Sequence, residues 1–282
     1  MTADTDDFRA FIYEVAEAIA PTWERRRAEI EEFCAPVREW MLRELRPRAG
    51  GSVLELAAGA GDTGFEAAAI LGERGRLIST DFSPSMVEAA RRRGAELGVA
   101  NVEYRVLDAE RIELDDDSVD GVLCRFGYML MPEPAAALSE TRRVLRPGGR
   151  LALAVWGAQE QNPCFEIIGR ILVERGHAPP PEPPPAPGPF SMASAERTTA
   201  ALEGAGFGDV RTEEVAVRLV VPDAREYLIF TADTGGPVAS VLRGLPDAER
   251  DAIEGQLEAA LAPYRSDRGY QLPGVALCAV AS

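Results

Sequence analysis

Short apolar runs and segments of helical periodicity alternate along the middle of the chain. The runs SVLEL and RLIST, at residues 52–56 and 76–80, predict two strands, and the segment 62–72 between them predicts a helix. Ser83 and Pro84 are suited to an N-cap and a first helical position, so a second helix is expected directly after the second run. Strands and helices in regular alternation are typical of a mostly parallel sheet.

The same alternation continues towards the end of the chain, with one long interruption. Further strands are predicted at residues 102–108, 119–126, 150–156, 210–221 and 271–280. The interruption follows Trp156 and includes the stretch HAPPPEPPPAPGPF, which contains eight prolines. Proline strongly disfavours a helix interior and a central strand, so this stretch predicts an extended loop or lid.

The segment ahead of the first strand has the pattern of amphipathic helices. Residues 6–46 predict one or two of them, interrupted near Pro21 and bent at Pro36. Five apolar residues share a stripe: Phe8, Phe11, Ile12, Val15 and Ile19. Because the polar side is rich in Glu, we expect this stripe to pack on its own domain rather than on a membrane.

These patterns predict six successive parts of the chain. They are an N-terminal helical cap at residues 1–47, a core at 48–157, a Pro-rich lid or loop at 158–193, a helix and a strand that complete the sheet at 194–222, a helical insert at 223–265 and a final strand at 266–282.

The segment VLELAAGAGDTG, residues 53–64, fits two kinds of nucleotide-binding loop. Gly59, Gly61 and Gly64 spell the dinucleotide fingerprint G-x-G-x-x-G, and Asp81 follows at a distance suited to a ribose. In a dinucleotide fold this loop receives a pyrophosphate, whose negative charges Glu55 would oppose. S-Adenosylmethionine instead carries a sulfonium and an ammonium cation, for which a carboxylate is favourable. Glu55 therefore favours S-adenosylmethionine.

Four motifs together resemble those of a known enzyme family. The segments VLELAAGAGDTG, ISTDFSPSMVEAARRR, VEYRVLDAERIELDDDSVDGVLCRF and LRPGGRLALAVW follow the order and spacing of the class I S-adenosylmethionine-dependent methyltransferases, and most resemble the ubiquinone and menaquinone biosynthesis group. The resemblance covers residues 50–157. It implies an α/β, Rossmann-like, doubly wound seven-stranded sheet with an antiparallel last strand and a helical cap, which binds its ligand at the carboxyl ends of the strands.

The resemblance also implies which residues hold the cofactor. Glu55 would lie near its methionine part, Asp81 would accept from both ribose hydroxyls, Met86 would pack near the adenine and Asp108 would accept from the adenine amino group. Arg125 stands where the loop after the fourth strand passes beneath the methionyl group, and Ala57 occupies a place where many members have glycine. The expected cofactor-binding residues are Glu55, Ala57, Gly59, Gly61, Asp81, Phe82, Met86, Asp108, Ala109 and Arg125.

Methyl transfer requires few side chains for chemistry, because aligning nucleophile, methyl group and sulfur in a dry site is the main task. An oxygen or carbon acid acceptor would also need a base, for which His177 and Tyr128 are weak candidates. Six aromatic residues are candidates for an acceptor pocket or for core packing: Tyr13, Trp23, Trp156, Phe165, Tyr227 and Phe230. If they line a pocket, the acceptor is a small apolar or aromatic metabolite.

The composition of the chain limits the classes of molecule that it is expected to bind. The 282 residues carry a formal net charge of −16, which repels phosphate backbones, so no nucleic acid partner is expected. No apolar run approaches ~18 residues and the N-terminus is acidic, so neither a membrane span nor a signal peptide is expected, and the location is expected to be cytoplasmic. Four scattered cysteines and one histidine predict neither disulfides nor a metal site.

Two other functions stay open. A catalytically silent domain that binds S-adenosylmethionine for regulation would keep the same motifs. A nicotinamide-dependent oxidoreductase would share the fold, but its common short-chain form needs a Tyr-x-x-x-Lys pair, and all 30 basic residues here are Arg. The residues identify neither the acceptor atom nor the oligomeric state.

Overall fold

The computed structural model of the chain describes residues 3–180 and 187–282. The described residues form one sheet of eight strands in the order β3-β2-β1-β4-β5-β8-β6, with β7 paired to β8 beside this path. The strands are β1 (Ser52–Leu56), β2 (Arg76–Asp81), β3 (Val102–Val106), β4 (Val119–Arg125), β5 (Leu145–Trp156), β6 (Arg211–Val221), β7 (Arg265–Ser266) and β8 (Gly269–Ala281).

The strand directions agree with the expected fold class. β1 to β5 pair in parallel, while β8 runs antiparallel to both β5 and β6, so the antiparallel last strand is confirmed. The number of strands differs from the predicted seven, because Arg265–Ser266 pairs with the start of β8 across a tight turn. A two-residue strand is too short to show the alternation from which strands are predicted.

Ten helices surround the sheet in the described residues. They are α1 (Ala3–Arg25), α2 (Arg27–Leu45), α3 (Asp62–Leu71), α4 (Pro84–Leu97), α5 (Pro134–Val144), α6 (Pro163–Glu174), α7 (Ala195–Gly204), α8 (Ala224–Thr234), α9 (Pro237–Gly244) and α10 (Asp247–Leu261). Helices on both faces leave β1 buried along its whole length, which is why its sequence is apolar except for Ser52 and Glu55.

The N-terminal cap is helical, but its break lies elsewhere than predicted. α1 continues through Pro21, and the chain turns at Arg26 before α2 begins. Proline removes one backbone hydrogen bond, yet the Thr22 hydroxyl lies 2.7 and 2.5 Å from the carbonyl oxygens of Ile19 and Asp233, between which its one hydrogen is shared. Packing contacts therefore keep the helix intact beyond its proline.

Part of the segment predicted to be an irregular lid is a helix. α6 begins at Pro163, where proline is tolerated, and it buries Cys164, Ile167, Ile168, Ile171 and Leu172 with helical spacing. The prediction of an irregular chain was wrong for α6, because its apolar stripe is short and the prolines that follow it dominated the prediction. Of those prolines, the ones at 181–186 lie outside the described residues.

None of the helices in the described ranges combines the length and the apolar character needed to cross a bilayer.

Candidate functional site

The parallel strands bring the predicted site residues to one edge of the sheet. Leu56, Asp81 and Arg125 are the last residues of β1, β2 and β4, so the loops that follow them meet at the carboxyl edge. β1 lies between β2 and β4, and the connections leave it in opposite directions. A crevice forms where the strand order reverses in this way, and ligands of doubly wound sheets bind there.

The loop between β1 and α3 has a strained backbone. Ala57, Gly59 and Gly61 have φ angles of 50°, 55° and 85°, in the left-handed region that favours glycine. A Cβ atom at Gly61 would lie 2.7 Å from the Phe65 ring, so no larger residue fits without a shift. Ala57 keeps the geometry of a glycine position although it carries a methyl group. The loop consequently presents mostly bare backbone to the crevice.

Glu55 supports this loop from below. Its carboxylate accepts from the Gly64 backbone N–H at 2.7 Å and from the Ser79 hydroxyl at 3.3 Å, and the residue is 3% exposed. Burial raises the pKa of Glu55 to about 8, although the nearby Arg125 guanidinium and the Gly64 N–H act in the opposite direction. Both oxygens are thus used inside the protein, and Glu55 joins α3 to β1 and β2 instead of lining the crevice.

Asp81 fastens the same loop to β2. Its two oxygens accept from the backbone N–H groups of Gly59 and Ser83, each at 3.0 Å. The residue is 6% exposed, and this burial raises its pKa to about 6 against the opposing effect of those N–H groups. Each carboxylate oxygen keeps capacity for a further hydrogen bond at the edge of the crevice.

Asp108 lies after β3, where it meets the N-terminal helix. Its side chain is 48% exposed and accepts from the backbone N–H of Glu110 at 2.9 Å and from Arg9 of α1 at 3.1 Å. Arg9 also contacts the Glu110 carboxylate at 2.5 Å. Ala109 is buried beside it. An ion pair therefore links α1 to Asp108, the residue that was predicted to accept a hydrogen bond from the adenine amino group.

Two further contacts bring α1 to the start of α4. Glu17 accepts from the Ser83 hydroxyl at 2.5 Å and from the backbone N–H of Ser85 at 3.1 Å. Met86 is buried between the helices with Val15, Ile19, Ala20 and Ala239. The predicted contact residue Met86 thus packs against the N-terminal helix in this structure.

Aromatic side chains of α1 cover another part of the crevice. Tyr13 meets Phe82 edge to face, with 5.9 Å between ring centroids. A Cβ atom at Gly59 would lie 3.6 Å from the Trp23 indole, so this ring lies directly on the loop. α1 therefore contacts three of the four strand-end loops that were predicted to hold the cofactor.

A narrow cleft remains under the junction of α1 and α2, with a cavity of about 10 Å³. Its lining residues are Trp23, Arg27, Ile30, Glu31, Ala60, Gly61, Asp62 and Arg125. Arg125 donates to Glu31 at 2.7 Å, and the carboxylates and thiol around it keep its pKa above the ordinary value despite burial. Of the predicted cofactor residues, Gly61 and Arg125 line this cleft.

An aromatic cluster follows Arg125 directly. Phe126, held at a φ of 61°, stacks on Trp156 with 4.1 Å between centroids, and Phe33 stacks on the same indole at 5.6 Å. Phe165 contacts Trp156 at 4.8 Å and Phe190 at 6.2 Å. Of the six aromatics proposed for a pocket, Trp156 and Phe165 belong to this cluster and Trp23 to the cleft. Tyr227 and Phe230 are buried in the core.

Comparison with known proteins agrees with the geometry. Residues 47–174 match the family described as "Methyltransferase domain". A demethylmenaquinone methyltransferase from Clavibacter sepedonicus is 41% identical over 111 residues, which are 39% of this chain and 43% of that protein. A ubiquinone/menaquinone biosynthesis C-methyltransferase UbiE from Haemophilus ducreyi is 34% identical over 125 residues, which are 44% and 47%. This chain thus spans less than half the length of these curated relatives.

A solved structure extends the similarity beyond the core. A SAM dependent methyltransferase from Aquifex aeolicus is 26% identical, with a TM-score of 0.50, over 67% of this chain and 87% of that one. Residues 47–174, somewhat less than half of the chain, are thus similar to methyltransferase domains. These similarities confirm the resemblance that was drawn from the sequence. The family that the chain resembles consists of enzymes whose cofactor is S-adenosylmethionine.

Neither of the two candidate bases lines the cleft. Tyr128 is fully buried, with its hydroxyl 2.7 Å from that of Thr141, and burial raises its pKa well above the ordinary value. His177 lies 2.9 Å from the carboxylate of Glu249 on α10, which also binds Arg175. Both side chains are engaged in hydrogen bonds within the protein. The described residues also contain no group of three or more metal-ligating side chains.

The N-terminal helices supply charged residues that the sequence analysis missed. Arg9, Glu17, Arg27 and Glu31 all reach the carboxyl edge or the cleft. Residues 6–46 were predicted to form a packing cap, and the mixture of Arg and Glu on their polar face is the one local signal of a further role. Because no motif spacing joins these residues to the strand ends, their place depended on how the cap docks.

Proposed function

We propose that this protein is an S-adenosylmethionine-dependent methyltransferase that acts on a small apolar or aromatic metabolite. The observation that carries the proposal is the loop from Ala57 to Gly61, whose left-handed residues offer bare backbone beside the buried carboxylate of Asp81. Such a loop with a carboxylate at the next strand end suits a nucleoside whose ribose lies against the backbone.

Two residues would divide the recognition of the nucleoside between them. Asp81 accepts from both ribose hydroxyls, using the capacity that its two backbone N–H bonds leave free. Asp108 accepts from the adenine amino group, beside or in place of its bond to Arg9. The methyl group then transfers in line from sulfur, with the protein contributing alignment and exclusion of water.

The aromatic cluster supports an apolar or aromatic acceptor. Phe126 and Trp156 stack at the ends of β4 and β5, next to the crevice where the methyl group would be presented. Trp156 itself is buried, but Phe126 and Phe165 are only partly buried, and a partly exposed ring can offer an apolar face to another ring. The two curated relatives carry quinone-related names, which is consistent with a ring-containing acceptor for this protein.

A calorimetric titration tests the cofactor and its principal ligand. The purified protein is titrated with S-adenosylmethionine, S-adenosylhomocysteine, NAD and NADPH. We expect only the two sulfur ligands to bind, and Asp81→Ala to weaken them by ~1 to 3 kcal/mol, the usual value of hydrogen bonds to a charged group. Asp120→Ala is the matched control, since Asp120 also accepts a backbone N–H, that of Ser52, but at the opposite edge of the sheet.

Two results of this titration would contradict the proposal. Binding of a nicotinamide cofactor alone would favour an oxidoreductase, and unchanged affinity in Asp81→Ala would remove its role at the ribose. A panel of phenols, quinols and amines then separates an enzyme from a regulatory module, because a pure binding domain would bind S-adenosylmethionine and transfer no methyl group to any of them.

A further inference from the structure

The cleft under the helix junction contains an unusual set of charges. Arg27 and Arg125 bring two cations to it, and Glu31 and Asp62 bring two carboxylates. These four residues come from three parts of the fold: α2, the start of α3 and the end of β4. A small space bordered by opposite charges in equal number is complementary to a zwitterion.

Arg125 has an unused donor in this cleft. Its Nη2 donates to Glu31 at 2.7 Å, but its Nη1 is buried and has no hydrogen-bond partner among the described residues. A buried donor without an acceptor is costly, and a guanidinium is well suited to bind a carboxylate through both of its terminal nitrogens. The free Nη1 therefore indicates a carboxylate ligand.

Glu31 is held as a fixed negative charge beside it. Its second oxygen accepts from Arg38 at 2.5 Å, and Arg125 and Arg38 together keep the pKa of Glu31 below its ordinary value although burial opposes this. A carboxylate has about four acceptor positions, so these two bonds leave room for an ammonium group. Asp62 provides a second carboxylate, with Arg93 at 3.4 Å on its other side.

Glu55 is not available for the same task. The acid at the end of β1 has both oxygens engaged within the protein, one by the Gly64 N–H and one by the Ser79 hydroxyl, and it does not line the cleft. An ammonium group in the cleft would meet Glu31 and Asp62 instead.

We propose that Arg125 and Glu31 form a clamp for the amino-acid end of S-adenosylmethionine, in which Arg125 Nη1 binds the carboxylate and Glu31, with Asp62, binds the ammonium group. The clamp rests on the proposed function, and it assigns a residue of the N-terminal cap to the cofactor. The cavity of about 10 Å³ holds about one water molecule. The cleft must therefore widen when the ligand binds.

Two ligands that differ only in the amino-acid end test the clamp. S-Adenosylhomocysteine carries the zwitterion, and 5′-methylthioadenosine is a thioether of the same nucleoside without it. We expect Arg125→Met to weaken S-adenosylhomocysteine about 10- to 100-fold, as for a lost charged hydrogen bond, and to leave 5′-methylthioadenosine within about twofold. Arg143→Met is the matched control, because Arg143 pairs with Asp116 and Glu140 away from the cleft.

A second variant tests the ammonium side. Glu31→Gln should weaken S-adenosylhomocysteine about 5- to 20-fold and leave its deaminated analogue unchanged, since only the first ligand carries the ammonium group. Thermal unfolding checks that each variant is folded. If Arg125→Met does not fold, Arg125→Lys keeps the charge next to Glu31 but lacks Nη1, and it should show the same ligand selectivity with a smaller loss.

The outcomes separate the clamp from the proposed function. If Arg125→Met weakens both ligands equally, or neither, the clamp is refuted while nucleoside binding stands. The same holds if the wild-type protein binds 5′-methylthioadenosine as tightly as S-adenosylhomocysteine. If the wild-type protein binds neither ligand, the proposed function fails and the clamp with it. Asp81→Ala, in contrast, should weaken both ligands, because both contain the ribose.

Discussion

Replacing Glu55 by glutamine tests whether the buried acid is charged in the folded protein. Glu55 accepts from the Gly64 N–H at 2.7 Å and from the Ser79 hydroxyl at 3.3 Å. Glutamine has the same shape, and its oxygen and amide group can keep both hydrogen bonds if the serine hydroxyl rotates. Because burial raises the pKa of Glu55 to about 8, the side chain is expected to be neutral at pH 7 in the fold and ionised in the unfolded chain.

The size of the effect follows from this difference in protonation. A folded-state pKa above the unfolded value stabilises the protein fully below pH 4.5, and the contribution is lost as the pH rises towards 8. Each pH unit in that interval costs about 1.4 kcal/mol, so Glu55 alone lowers the free energy of unfolding by about 3 kcal/mol between pH 4.5 and pH 7. Because glutamine does not titrate, the free energy of unfolding of Glu55→Gln should not fall in this way.

Chemical denaturation of the wild-type protein and of Glu55→Gln between pH 5 and pH 8 measures the effect. The variant should gain stability over the wild type steadily as the pH rises, and it should bind S-adenosylhomocysteine within about threefold of the wild type at pH 7. Glu88→Gln, at an exposed position on α4, should follow the wild type throughout. Parallel stability curves for Glu55→Gln and the wild type would refute the reasoning, because they would mean that Glu55 is ionised in the fold.

Further tests concern the packing of Gly64 against Glu55 and the protonation of Asp81. Gly64→Ala should lower the free energy of unfolding by ~1 to 3 kcal/mol, since its Cβ would lie 2.7 Å from the Glu55 carboxyl carbon and 2.9 Å from Leu77. Gly255→Ala, where nothing lies within 4 Å of the Cβ, should gain up to ~1 kcal/mol in the same denaturation assay, and equal changes would contradict the packing argument. Affinity for S-adenosylhomocysteine should fall as the pH drops through 6, where the Asp81 carboxylate becomes protonated, and a flat calorimetric profile from pH 5 to 8 would contradict this.

The strands, the helix starts and the glycine loop could be predicted because their signals are local. Ser83 accepts from the backbone N–H of Met86 at 3.1 Å, as expected of an N-cap, and Gly98 ends α4 in a left-handed conformation. The left-handed loop also explains why glycines stand at 59 and 61. In each case the residues that interact are at most a few positions apart, so the order of residues contains the information.

The roles of the charged side chains depended on contacts between distant segments. Glu55 and Asp81 were recognised as acids at strand ends, but only the packing of α3 against β1 shows that Glu55 lies beneath the loop. Arg9 and Asp108 are 99 residues apart, and Arg125 and Glu31 are 94 apart. No spacing rule connects such pairs, because they meet only through the docking of two amphipathic helices, and an amphipathic pattern fixes which face is buried but not the surface it is buried against.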